Sequence, residues 1–109
     1  MSLQDHQITL AEAAKMTKRY RELPLGQIGQ LLAGTKAYSF SKAAIQGVLD
    51  QTECESIRFY LAVETLLPPK FTIVVVGVDI NGNDLVNGVI LDRAYVCPPH
   101  CSVTNDLNT

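Results

Sequence analysis

Phe71-Thr72-Ile73-Val74-Val75-Val76-Gly77-Val78 decides the fold, because a run apolar on both faces and rich in β-branched side chains suits a strand central to its sheet. Asp79-Ile80-Asn81-Gly82 follows at once. Asn-Gly is a strong hairpin signal, since both central residues of a type I′ turn need positive φ. Asn87-Gly88 offers a second turn before Val89-Ile90-Leu91. On the upstream side, Ile57, Phe59, Leu61 and Val63 alternate with Arg58, Tyr60 and Glu64. This predicts a strand with one side packed on helices and the other partly wet. Leu66-Leu67-Pro68-Pro69-Lys70 breaks it.

Further toward the N-terminus the period becomes helical. Thr9-Leu10-Ala11-Glu12 has the form of a capping box, and Leu10, Ala13, Met16, Tyr20 and Leu23 then recur at steps of three and four until Pro24 ends the element. Leu25 to Gly34 is predicted as a short helical segment. Ser39 or Ser41 caps a further helix to about Gln51, with Ala44, Ile45, Val48 and Leu49 on its buried side. N-terminal helices packed on a small antiparallel sheet of three or four strands make an α+β fold, expected in two layers. The whole of 1–109 reads as one domain, with a helical part over about 9–51, a strand part over about 55–97 and a tail over 98–109.

The 109 residues are 47% hydrophobic, enough for a core without a metal or disulfide framework. A net charge of −2 leaves no general field to attract nucleic acid or an anionic membrane. Lys15, Lys18, Arg19 and Arg21 gather on one helix, but Glu12 and Glu22 flank them and a solvated face is the better reading. No stretch approaches the length of a membrane span. Three cysteines and no export signal predict a soluble cytoplasmic protein whose thiols stay free.

The densest chemistry is Cys97-Pro98-Pro99-His100-Cys101. Extended as polyproline II, it holds the two α-carbons about 12 Å apart, beyond disulfide reach. If Pro99 starts a turn, both sulfurs can approach each other or one zinc ion. Cys54 and His100 or His6 could complete a zinc set, yet the second close ligand pair that structural zinc sites use is missing, so zinc is not favoured. Asp79 to Asp84 begins like a calcium loop, but the sixth position is Asp84 rather than Gly and the twelfth is Ile90 rather than Glu, so a turn is preferred. Arg58, Tyr60 and Glu64 form a candidate binding face on one side of their strand.

Ser56-Ile57-Arg58-Phe59-Tyr60, the Ile73–Asp79 run with Gly82-Asn83-Asp84-Leu85, Asp92-Arg93 and Cys97-Pro98-Pro99-His100-Cys101-Ser102 together resemble the pattern of a small family of bacterial proteins without an assigned activity. The similarity spans about residues 8 to 106. It implies one compact domain in a bacterial cytoplasm and transfers no catalytic, cofactor or partner role. Three functions follow from the residues. The favoured one is a small non-catalytic interaction protein whose sheet face or edge receives a partner or a second copy. The others are a thiol or zinc module on Cys54, Cys97, His100 and Cys101, and an enzyme assembled from Arg58, Tyr60, Asp79, Asp84 and Asp92.

Overall fold

The computed structural model describes residues 6–24, 34–66 and 69–107. In chain order the elements are β1 (Gln7–Ile8), α1 (Leu10–Glu22), β2 (Ala37–Ser39), α2 (Lys42–Leu49), β3 (Ser56–Leu66), β4 (Pro69–Val78), β5 (Ile90–Leu91) and β6 (Tyr95–Cys97). The main sheet is antiparallel with strand order β1-β5-β4-β3, and β2 pairs with β6 in a second, two-stranded sheet. This is the α+β fold expected from the sequence, with the helices N-terminal to the long strands. The helix expected over Leu25 to Gly34 falls on 25–33, outside the described residues. Among the described residues no helix is long and apolar enough to cross a membrane.

The sheet is built on the β3–β4 hairpin, where Leu66 pairs with Pro69 and the register runs back to Ser56 opposite Val78. Both faces of β4 are buried, and here the structure departs from the two-layer expectation. Val74 and Val76 on one face join Ala62, Ile90 and Ile8 under Ala13 and Met16 of α1. Val75 on the other face joins Leu91 under Ala44 and Val48 of α2. The helices therefore lie on opposite faces of the sheet, because a strand apolar on both sides needs cover on both.

Both helices start as their sequences dictate. Thr9 and Glu12 form a reciprocal capping box on α1, and Ser41 Oγ accepts the Ala44 N–H to cap α2. Their apolar stripes bury less than expected, since Leu10 and Leu49 remain exposed. The reversal after β4 also differs from a type I′ turn. Gly82 has φ 83°, while Asn81 is not left-handed. Gly82 N–H donates to the Asp79 carbonyl (3.0 Å), and the Asp79 carboxylate accepts the N–H groups of Asn81 and Asn83 (2.9 and 3.0 Å). Asp79 thus supplies by side chain what a second left-handed residue would supply by backbone. The returning chain makes one bridge, Asp84 to Val78, before leaving the sheet.

β1 and β2 were not foreseen, because two- and three-residue strands carry no readable period. Buried His6 explains where they sit. Its Nδ1 faces the Arg93 carbonyl (2.9 Å) and so donates, leaving Nε2 to accept the Ser41 N–H (3.4 Å). Phe40 and Tyr95 pack edge-on against its ring. One imidazole thereby ties the start of β1, the cap of α2 and the β5–β6 connection together. Tyr38 Oη donates to the Phe71 carbonyl (2.7 Å) and fastens the small sheet to β4.

Leu91 is fully buried beneath α2, whereas Leu107 lies almost entirely in solvent. Leu91→Ala should lower the unfolding free energy by about 2–5 kcal/mol in urea denaturation. Leu107→Ala should change it by no more than about 0.5 kcal/mol. Equal small effects at both sites would refute this placement of the core.

Candidate functional site

Arg58 and Tyr60, two of the residues expected to share a face, converge on Asp84. Arg58 Nη1 lies 2.6 Å from Asp84 Oδ1, and Tyr60 Oη donates to Asp84 Oδ2. Arg58 Nη2 also reaches the Gly82 carbonyl (3.4 Å). The Asp84 carboxylate accepts from Tyr60, which holds the phenol above its usual pKa, and burial adds to that shift. Tyr60 and Asp84 before them, the Arg58 guanidinium is likewise held above its ordinary range. With both oxygens of Asp84 engaged, the cluster is a closed clamp between β3 and the turn after β4.

Glu64 is not part of that clamp. It pairs with Lys70 (3.2 Å) at the far end of β3, and its backbone carbonyl accepts from Arg19 of α1 (2.6 Å). Arg19 is thus a strand-end contact rather than a member of a purely solvated basic face. Between Arg58 and Glu64, Tyr60 and Ala62 pack in the core under α1. A cavity of about 220 Å³, mostly apolar, opens where Leu10 and Ala13 of α1 meet Tyr60, Asp84 and Val86. Of the acids of the enzyme reading, Asp79 and Asp84 line one open cavity of about 410 Å³ with Glu53 and Gln51, whereas Asp92 lies in the interior away from it.

The tail takes the turned form. Cys97 and Cys101 are joined as a disulfide with α-carbons 4.8 Å apart, inside the limit that an extended tail exceeds. His100 N–H donates to the Val96 carbonyl and Cys101 N–H to that of Pro99, so the chain folds back at the prolines. Both peptide bonds preceding those prolines are cis. This corrects the expectation that all three thiols are free, which holds for Cys54 alone. Cys54 packs beside Ile57 and Val75, and its thiol donates to the Ser56 carbonyl (3.2 Å). His100 lies against Tyr95, and both nitrogens of His6 are engaged as described. Among the described residues no group of three or more His, Cys, Asp and Glu side chains is arranged to hold a metal ion.

The feature that sequence reasoning missed lies on the other face of β3. Phe59 is 55% exposed and Leu61 47% exposed, although alternation placed both in the core. Periodicity identifies two faces but not which one a helix covers, and the charges of Arg58 and Glu64 pointed to the wrong side. Those charges flank the stretch covered by α1, while eight-residue α2 sits over β4, β5 and only the Ile57 end of β3. β3 is also an outer strand, paired only with β4 among the described residues. Leu85 N–H donates to the Gly77 carbonyl, which turns Gly77 away from β3. By alternation, Val76 and Val74 bond to Arg58 and Tyr60, and the backbone N–H and C=O groups of Ile57, Phe59 and Leu61 face the open side.

No family model matches the chain, and no curated protein or solved structure matches it either. Its class therefore rests on fold and geometry: an α+β domain whose longest strand has one strand neighbour among the described residues and exposes Phe59 and Leu61.

Asp92 is buried and accepts a hydrogen bond from the Thr72 hydroxyl. Burial raises its carboxyl above the ordinary 3.8, only partly countered by that bond and by the Arg93 N–H. The folded chain then holds the proton more tightly than the unfolded one. The stabilising contribution is complete below the ordinary value and is lost as pH rises through the folded-state value. Urea denaturation across the acid range should show wild-type stability falling with pH relative to Asp92→Asn. A difference between the two that does not change with pH would refute the assignment.

Proposed function

We propose that this protein is a small non-catalytic interaction module that receives an extended strand along the open edge of β3. The observation that carries the reading is the exposure of Phe59 and Leu61 on an outer strand whose backbone N–H and C=O groups at those two residues point away from β4. Natural sheets blunt such edges with charge, proline, bulges or covering segments. β3 has its bulge near Glu64 and its charges at Arg58 and Glu64, so Phe59-Tyr60-Leu61 carries no such device. Strand addition uses main-chain hydrogen bonds for affinity and alternate side chains for specificity, and this stretch offers both.

The closed Arg58–Tyr60–Asp84 clamp supports the same reading. It pins β3 to the turn after β4 and keeps the edge straight for a partner. The Cys97–Cys101 disulfide belongs to β6 and the second sheet, so strand addition at β3 does not depend on its redox state.

Leu61→Asp and Phe59→Asp should each weaken association about tenfold or more, whether with another protein or with a second copy. Ile80→Asp, in the exposed turn beyond β4, should leave association unchanged. Native mass spectrometry and affinity capture, run on all three variants and wild type, check this. Association absent from wild type in both measurements, or retained by Leu61→Asp, would overturn the reading.

A further inference from the structure

We propose that Cys97 and Cys101 form a reversible thiol–disulfide exchange site, in which the sulfur of Cys101 meets the thiol of a small molecule and Cys97 completes the exchange. This is a second function, carried by the two-stranded sheet and independent of the β3 edge. The two cysteines have unequal settings. Cys97 is 5% exposed, ends β6 opposite Ala37, and accepts the Lys36 N–H at its carbonyl (2.8 Å). Cys101 is exposed, as are Pro98, Pro99 and His100 before it and residues 102–107 after it. Exchange needs a thiolate to approach one sulfur of the bond, so access selects Cys101 as the sulfur attacked.

The bond also contributes little to holding the domain together. It spans a sequence separation of 4, and closing so short a loop stabilises a fold less than closing a long one. Three residue pairs to β2 hold β6 without it, and Tyr38 Oη fastens β2 to β4 through the Phe71 carbonyl (2.7 Å). Reduction therefore leaves Cys97 in place. It leaves Cys101 nearby too, because the contacts that shape the turn do not involve sulfur. His100 N–H donates to the Val96 carbonyl (2.9 Å), Cys101 N–H donates to the Pro99 carbonyl (3.0 Å), and the His100 ring packs against Tyr95. A turn that outlasts its own disulfide keeps the two thiols close together, ready to re-form the bond.

An incoming thiolate bonds to Cys101 Sγ, and the electron pair of the broken sulfur–sulfur bond leaves on Cys97. A second small thiolate then attacks the mixed disulfide at its small-molecule sulfur, releasing a small-molecule disulfide and leaving Cys101 as the second thiolate. Two thiols are oxidised, the protein disulfide is reduced by two electrons, and the two protons given up by the incoming thiols end on the cysteines. In the reverse direction Cys101 attacks a small-molecule disulfide, and Cys97 then bonds to Cys101 Sγ and expels the small thiolate.

Glutathione serves as the probe, in a Cys54→Ser background that removes the remaining free thiol. Excess reduced glutathione at millimolar concentration should reduce the native protein without denaturant, read by alkylation and intact mass. The far-ultraviolet circular dichroism should not change. Oxidised glutathione should then return the pair to the disulfide with no stable adduct. Cys97→Ser should instead accumulate one glutathione on Cys101, at least about tenfold faster than Cys101→Ser accumulates one on Cys97. A native disulfide that resists glutathione, or a fold lost on reduction, overturns the proposal and makes the bond structural. Equal rates in the two single-cysteine variants overturn it as well, since access then does not separate the sulfurs. None of these outcomes involves Phe59 or Leu61, so the β3 reading stands or falls separately.

Discussion

The structure depends on one constraint, that β4 has no polar face. Phe71, Val74, Val75, Val76 and Val78 are all buried, with Val75 completely so. Each such side chain is worth about 1.5–3 kcal/mol in water or core, so leaving either face open is too costly for a domain of this size. One helix cannot cover both faces. α1 and α2 therefore lie on opposite faces of the sheet. Their separation is what brings His6, Ser41 and Arg93 together at the junction.

The same constraint leaves the sheet unbalanced at its edges. β4 pairs with β3 along nearly its whole length but with β5 through only Val75 and Val76. On that side the sheet ends in β1, two residues long and anchored by His6. Short edges are a common means of preventing unwanted pairing, and β1 is one. β3 is the opposite, an eleven-residue outer strand with two large apolar side chains in its middle. Arg19 satisfies the Glu64 carbonyl at the bulge, so the end of the edge is protected while its centre is not.

Much of this was legible in the sequence where the pattern was long. β4, the β3 alternation, the Thr9 capping box and the Ser41 cap all follow from local chemistry that tertiary packing did not override. Cys97-Pro98-Pro99-His100-Cys101 left two conformations open, and only the paired contacts of the turn select between them. What could not be read depended on which helix lies over which face. Arg58 and Glu64 looked like the mark of a wet face, yet a strand longer than the helix above it can carry charges at its ends and core residues between them. Phe59 and Leu61 went unrecognised for the complementary reason, since α2 spans eight residues and β3 eleven.

The buried polar groups at the junction show why short strands still have fixed positions. An unsatisfied buried donor or acceptor costs about 1–3 kcal/mol, so His6, Asp92 and Thr72 would each destabilise a core that failed to partner them. Every buried side-chain nitrogen and oxygen among the described residues has a partner. Arg93 adopts φ 56°, an uncommon conformation for a residue other than glycine, and there its carbonyl accepts from His6 while its N–H supports Asp92. Moving either partner would strand at least two buried groups at once. Apolar packing alone tolerates sliding, but this network does not, and so it sets β1 and the β2–β6 pair in one place against the main sheet. The junction side of the domain is thereby closed by specific hydrogen bonds, in contrast to the middle of β3, where Phe59 and Leu61 remain exposed.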